Sequence, residues 1–259
     1  MSAPAAAEPA SIPQNKLTIA RGLSRVGLIL GLAVLSMLVV DGVIRESAGW
    51  RSALGWGAAY TGIGAVLIWL GGNLASWLLL GSRMRAELDR GNTAVGFIAS
   101  GHYVAVSWIL VNCFSGRDLA SLRVSVVFFV IGVATLLGMQ VLYRTLTRYD
   151  DAQEVLAGNM AAATSFVGLT LGLALVVAHA AEGTFAGWGP SLRAYAGALL
   201  LAVALYPVRQ FVVGPLVGCP PSMRSRALDR LVVQERNFEV GLIEGLAYIA
   251  VAALATAIG

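Results

Sequence analysis

The sequence predicts an all-α, polytopic transmembrane helix bundle of about seven spans, built from parallel helical-hairpin repeats. Three observations lead there. Of the 259 residues, 58% are hydrophobic and only 12% charged, and the mean hydropathy is +0.77, a balance foreign to ordinary soluble domains. Seven apolar runs recur, roughly 23–44, 53–80, 92–114, 122–143, 159–180, 191–217 and 237–258, each able to supply the ~20 residues that cross a bilayer. The stretch Asn92-Thr-Ala-Val-Gly-Phe-Ile-Ala-Ser-Gly101 returns as Asn159-Met-Ala-Ala-Ala-Thr-Ser-Phe-Val-Gly168 and, more loosely, as Asn237-Phe-Glu-Val-Gly-Leu-Ile-Glu-Gly245, which marks an internal repeat.

Each run should be helical, because an open strand edge leaves backbone groups unsatisfied in lipid. Residues 1–20, rich in Pro, Ala and Ser, predict a disordered cytoplasmic tail ahead of a bundle over 21–259. No clear signal-peptide cleavage pattern follows the first apolar run. That run opens with Arg21-Gly-Leu-Ser-Arg-Val-Gly-Leu-Ile29, which matches Arg90–Ile98 at five positions with Leu23 in place of Asn92. It is a degenerate copy, so repeats start near 21, 90, 157 and 235. The second run contains Gly71-Gly72-Asn73 and the sixth Pro207 and Pro215, which predicts a tilt or bend in each. After each motif Asn, a small residue stands four positions on (Gly96, Ala163, Gly241) and another eight or nine on (Gly101, Gly168, Gly245). This spacing gathers them near one helix face, where backbones can approach closely.

Thirteen of the eighteen Lys and Arg residues lie in the tail and the second, fourth and sixth connections, which predicts a cytoplasmic N-terminus and an external C-terminus. Trp50, Trp56 and Trp188 then fall at the outer interface. The odd-numbered spans all run outward and carry the motif or its remnant. The repeat is therefore parallel, unlike the inverted repeats of many alternating-access carriers. Cys113 and Cys219 fall at opposite ends of the bundle and cannot pair.

Three ionisable residues are intramembrane polar candidates: His102, Glu244 and Arg209. His102 lies about 15 Å and Glu244 about 10 Å beyond their motif asparagines. Both positions are apolar in the other full copies. Such groups usually face protein or water and have a partner, which predicts a His102–Glu244 contact with Arg209 nearby; the plainer account is a hydrogen bond joining helices. Asn92, Asn159 and Asn237 are read first as helix N-caps, with a shallow anion site as the alternative. Gln140, Tyr143 and Arg144, like Tyr206, Arg209 and Gln210, read as interfacial anchors. Segment 222–235 reads as a loop helix or a basic amphipathic helix. His102 and His179 are too far apart in depth to share one haem. With no nucleotide loop, zinc-ligand spacing or nucleophile–base set, no enzyme activity, catalytic residue, metal or cofactor is expected. Basic residues confined to the connections point to lipid headgroups and exclude nucleic acid as the natural partner.

The stretch Leu146-Thr-Arg-Tyr-Asp-Asp-Ala-Gln-Glu-Val-Leu-Ala-Gly-Asn-Met-Ala-Ala-Ala163 resembles the junction of the bacterial inner-membrane family called domain-of-unknown-function-350. There an inward span ends in Leu-Thr-Pro and an acidic segment before the next begins with Asn-x-Ala-Ala-Ala. Arg148 replaces that Pro here, and Glu239 an Ala in the last copy. The resemblance spans about 55–258 and implies a family member extended by one N-terminal helix, located in the inner membrane and without known catalytic residues. Two functions are expected: a channel-like or proton/ion-linked membrane component or, alternatively, a structural or assembly scaffold. The lipid bilayer and a homo-oligomer or membrane-protein partner are the expected associations.

Overall fold

Each motif Asn closes a tight turn and starts a long helix. The computed structural model describes residues 14–45, 49–116, 118–146, 149–183, 185–200, 202–203, 207, 209–220 and 226–258. Among these the helices are α1 (Gln14–Arg45), α2 (Trp50–Leu80), α3 (Arg83–Asp89), α4 (Thr93–Cys113), α5 (Leu119–Leu146), α6 (Asp151–Leu156), α7 (Met160–Ala181), α8 (Trp188–Ala198) and α9 (Phe238–Ile258). Between α8 and α9, a π-helix at Arg209–Val213 runs into Gly214–Leu216, and a turn at Ala227–Asp229 runs into a second π-helix at Arg230–Gln234.

Six helices, α1, α2, α4, α5, α7 and α9, are long and apolar enough to cross a membrane. The expected sixth run, 191–217, is described only in pieces, with 201, 204–206 and 208 outside the described residues. Pro207 and Pro215 bracket its π-helix; a proline has no N–H to give, and a wider turn accommodates the missing bond. Helix α2 is one continuous helix. It runs unbroken through Gly71 and Gly72, which make room for α4: a Cβ on Gly71 would stand 2.8 Å from Val106 Cγ1, and one on Gly72 would enter the Tyr103 ring. Helix α1 begins at Gln14, within the stretch expected to be tail. Residues 1–13 lie outside the described residues.

The motif helices α1, α4, α7 and α9 pack in that order as a parallel row. Their small residues make the joints. Gly96 faces the Ala20 carbonyl, Gly27 faces Ser100, Gly241 faces the Ala161 carbonyl, and Gly168 meets the backbone of Gly245. A Cβ on Gly101 would stand 2.7 Å from Val167 Cγ1. Gly101 and Gly168 both stand nine residues after their Asn, and Val167 and Gly245 eight after theirs, so the α4–α7 and α7–α9 joints share one register. Helices α2 and α5 run antiparallel to the row: Gly64 meets Leu110 while Ser76 meets His102, and Gly132 meets Ile109 while Gln140 meets His102.

The short helices α3 and α6 lie at the end where the motif helices start. The Asn92 Oδ1 accepts from the Ala94 and Val95 N–H groups (3.1 and 3.3 Å), and its Nδ2 donates to the Val155 and Leu156 carbonyls at the end of α6 (3.2 and 3.0 Å). One copy later, Asn159 caps Ala161 and Ala162 and donates to the Val232 carbonyl at 2.9 Å. Each of these two asparagines thus ties its own helix to the short helical segment of the next copy. In the degenerate first copy, Arg21 reaches Asp89 of α3 instead (2.8 Å). The residue before each Asn is left-handed: Gly91 (φ +79°), Gly158 (φ +78°) and, in the last copy, Arg236 (φ +48°). Only glycine occupies that region without steric cost.

The expected amphipathic segment docks on the bundle: Leu228 and Val232 are buried with Ala161, Ala162, Val213 and Val240. Residues 221–225 lie outside the described residues.

Candidate functional site: a buried polar network between four helices

Apolar helices that cross a bilayer can bury a polar side chain only where neighbouring helices satisfy it. Three helices do so around His102 of α4. The ring, 1% exposed, lies between α2 and α5: its Nδ1 is 3.0 Å from Ser76 Oγ, and its Nε2 is 3.1 Å from Gln140 Nε2. Gln140 Nε2 is also 2.9 Å from Thr170 Oγ1 on α7, and the Phe166 ring meets the imidazole edge-on at 6.2 Å.

The tautomer follows from the chain of donors. Thr170 gives its one hydroxyl hydrogen to the Phe166 carbonyl (2.8 Å), so towards Gln140 it accepts. The amide nitrogen of Gln140 therefore faces both neighbours, giving one hydrogen to Thr170 and the other to His102 Nε2. With Nε2 accepting, the ring proton sits on Nδ1 and is donated to Ser76. Every hydrogen traced along this path has an acceptor.

Repeat register explains where the partners come from. Nineteen residues before Asn92 stands Asn73, and nineteen before Asn159 stands Gln140; eleven after the three asparagines stand Tyr103, Thr170 and Tyr248. Asn73 Nδ2 donates to Tyr103 Oη at 2.9 Å, the first-copy counterpart of Gln140 and Thr170. In the last copy, the Tyr248 hydroxyl donates to Glu244 Oε1 at 3.3 Å, one turn back on α9. The hydroxyls at this position were a readable signal in the sequence that motif spacing alone missed. Gln140 is likewise buried within the network, a correction to its reading as an interfacial anchor. Tyr143, also read as an anchor, is buried and donates to the Ala202 carbonyl at 2.6 Å.

His102 and Glu244 are both buried to 1% exposure, but the contact expected between them is not made. Helix α7 packs between α4 and α9, and each residue bonds within its own neighbourhood. Arg209 opens the π-helix that packs against α9; its side chain lies outside the described residues, as does Tyr206. His179, near the far end of α7, meets Glu182 at 3.3 Å. That end also carries a cavity of about 240 Å³ lined in part by Asn112, Cys113, Phe128 and Glu182. Among the described residues no group of His, Cys, Asp or Glu could hold a metal ion.

A chain whose described residues form six helices long and apolar enough to cross a membrane, joined by buried hydrogen bonds, is a multi-pass membrane protein. The model of the family described as Domain of Unknown Function (DUF350) matches residues 12–114 and again 118–258, and the chain belongs to that family. Neither a curated protein nor a solved structure matches the chain significantly. The first match includes α1, read from the sequence as an addition to the family. Its packing along α4 through Gly27 and Gly31 makes it part of the row.

Proposed function

We propose that the protein is a proton-linked or ion-linked membrane component with His102 as its ionisable centre. The observation that carries this reading is the His102 ring held between Ser76 and Gln140, midway along α4. Ser76 can keep its role while Gln140 and Thr170 reverse theirs. If the ring takes a second proton, Nε2 must donate; a half-turn of the Gln140 amide presents Oε1, and the Thr170 hydroxyl can turn from Phe166 to the same oxygen. Protonation is thus accommodated by two torsions without moving a helix. The side chains that His102 bonds, Ser76 and Gln140, are both uncharged, so neither fixes the ring in its charged form.

The test is dissipation of an imposed pH gradient in proteoliposomes. Wild type is expected to exceed empty vesicles, and His102→Gln to fall to their level. Wild type equal to empty vesicles across pH and ions, or His102→Gln equal to wild type, overturns the reading. We assign no catalytic residue and no cofactor, and place the protein in a bacterial inner membrane with the N-terminus cytoplasmic. A topology reporter at residue 259 that scores as cytoplasmic overturns that orientation.

A scaffold or assembly role is the second reading, favoured by the glycine-joined row whose end helices α1 and α9 present apolar side chains such as Ile29, Leu30, Leu246 and Leu254. Cross-linking in native membranes tests it. A protein that stays monomeric with no stable neighbour is no scaffold.

A further inference from the structure

Where α2 ends and α3 begins, a groove of about 480 Å³ is lined by Asn73, Leu74, Trp77, Gly81, Ser82, Met84 and Arg85. Its floor is apolar: Leu74 and Trp77 are half exposed and Met84 is buried. From Gly81 at the turn to Asn73 the groove descends about 12 Å along the helix, the reach of the upper part of an acyl chain. Ser82 and Arg85 stand at its mouth.

The charges around that mouth are unbalanced. Both carboxylates of α3 are taken up, Glu87 by Arg90 at 2.7 Å and Asp89 by Arg21 at 2.8 Å. Arg85 is exposed and has no ion pair among the described residues. The second copy fills the corresponding positions differently. Sixty-seven residues on, Trp77 becomes Arg144, Arg83 becomes Asp150 and Arg85 becomes Ala152, and Arg144 pairs with Asp150 at 3.2 Å. In the first copy an indole and a cation stand where that ion pair would be, and Arg85 adds a second cation beside them.

We propose that this groove holds one anionic phospholipid, its phosphate at Arg85 and Ser82 and the start of an acyl chain along Leu74 and Trp77. A guanidinium pairs well with phosphate, and a tryptophan belongs at the headgroup level. Soluble phosphate has no use for the apolar floor, and a zwitterionic lipid, which offers the same phosphate, brings its own cation and leaves the site with a net positive charge.

The experiment places the full chain in nanodiscs of phosphatidylcholine with a minor fraction of phosphatidylglycerol and counts retained lipid by native mass spectrometry. Wild type is expected to retain phosphatidylglycerol preferentially. Arg85→Glu should lower that retention at least about fivefold, the effect of one interfacial cation. Arg83→Glu, with the same change of charge outside the groove lining, should lower it much less. Equal losses in the two variants indicate diffuse attraction and overturn the site, as does equal retention of both lipids by wild type. Displacement of the lipid by inorganic phosphate alone also overturns it. These outcomes are independent of proton flux through His102.

Discussion

Gln140 of α5 sets the tautomer of His102 on α4, because its amide hydrogens go to Thr170 Oγ1 at 2.9 Å and to His102 Nε2 at 3.1 Å. Replacing it with Leu leaves a buried ring nitrogen without a donor, at a cost of about 1–3 kcal/mol. The double change His102→Leu with Gln140→Leu should cost less than the sum of the single changes, since it removes both polar partners. Thermal unfolding of the four proteins in detergent checks this; strict additivity means the pair is not coupled.

Where α7 meets α9, Gly168 and Gly245 stand backbone to backbone. Gly168→Val drives a side chain into the Gly245 backbone, and overpacking of this kind costs about 1–3 kcal/mol or more. Gly138 in α5 has open space where a Cβ would stand, with nothing within 4 Å, so Gly138→Ala should be neutral or gain up to about 1 kcal/mol through helix propensity. If both substitutions shift the unfolding midpoint equally, close approach is not what joins α7 to α9.

Asn159→Ala should cost more than Asn237→Ala. Asn159 caps two N–H groups and donates to the buried Val232 carbonyl, whereas Asn237 caps the Val240 N–H at 3.2 Å. Loss of a cap alone is worth about 1 kcal/mol. Hydrogen exchange at Ala161 and Ala162 should rise in the first variant, and no change there would contradict the capping role.

Arg236 is left-handed where the earlier copies have glycine. Arg236→Gly removes a steric cost of about 1–2 kcal/mol and adds about 0.5–1 kcal/mol of chain entropy to be lost on folding. A small rise in unfolding temperature is expected, and a fall would show that the 3.5 Å bond from Arg236 to the Ala157 carbonyl matters more than the backbone.

Asp118, ahead of α5, accepts from the Ala120 and Ser121 N–H groups, both at 2.9 Å, and from the Ser121 hydroxyl at 2.8 Å. These bonds, those from Ser121 foremost, hold its carboxyl below the ordinary value of 3.8. A depressed folded-state pKa contributes stability above the unfolded value, and that contribution disappears as pH falls through the folded one. Protection of the first turn of α5 against hydrogen exchange should therefore fall with acidification below about pH 4, and Asp118→Asn should flatten that dependence.

Much of this was legible in the residues. Hydropathy and length revealed the six long helices because the bilayer imposes both. The motif revealed the joints because only small residues at that spacing let two backbones touch. What the sequence hid was lateral order. It showed that α4 and α9 are parallel and of similar depth but not that α7 stands between them, so His102 and Glu244 looked like partners. Gln140 was misread for a related reason: near a helix end, an amide suits the interface and a buried network equally well, and only the helices around it decide. The Gly71-Gly72 pair carried the same ambiguity, since glycines that weaken a helix also admit a neighbour.

The joint between Gly101 and Val167 is repeated between Gly168 and Gly245: in α4 and α7 alike, the glycine nine residues after the Asn is where the next helix of the row packs, a head-to-tail rule. Applied without limit, such a head-to-tail rule yields a filament lying in the plane of the membrane. Helix α9 does not present that glycine. The corresponding residue is Leu246, 55% exposed, and its bulk keeps a further backbone at a distance. In the last helix of the row, the place that admits a neighbour in α4 and α7 is thus filled by a large side chain.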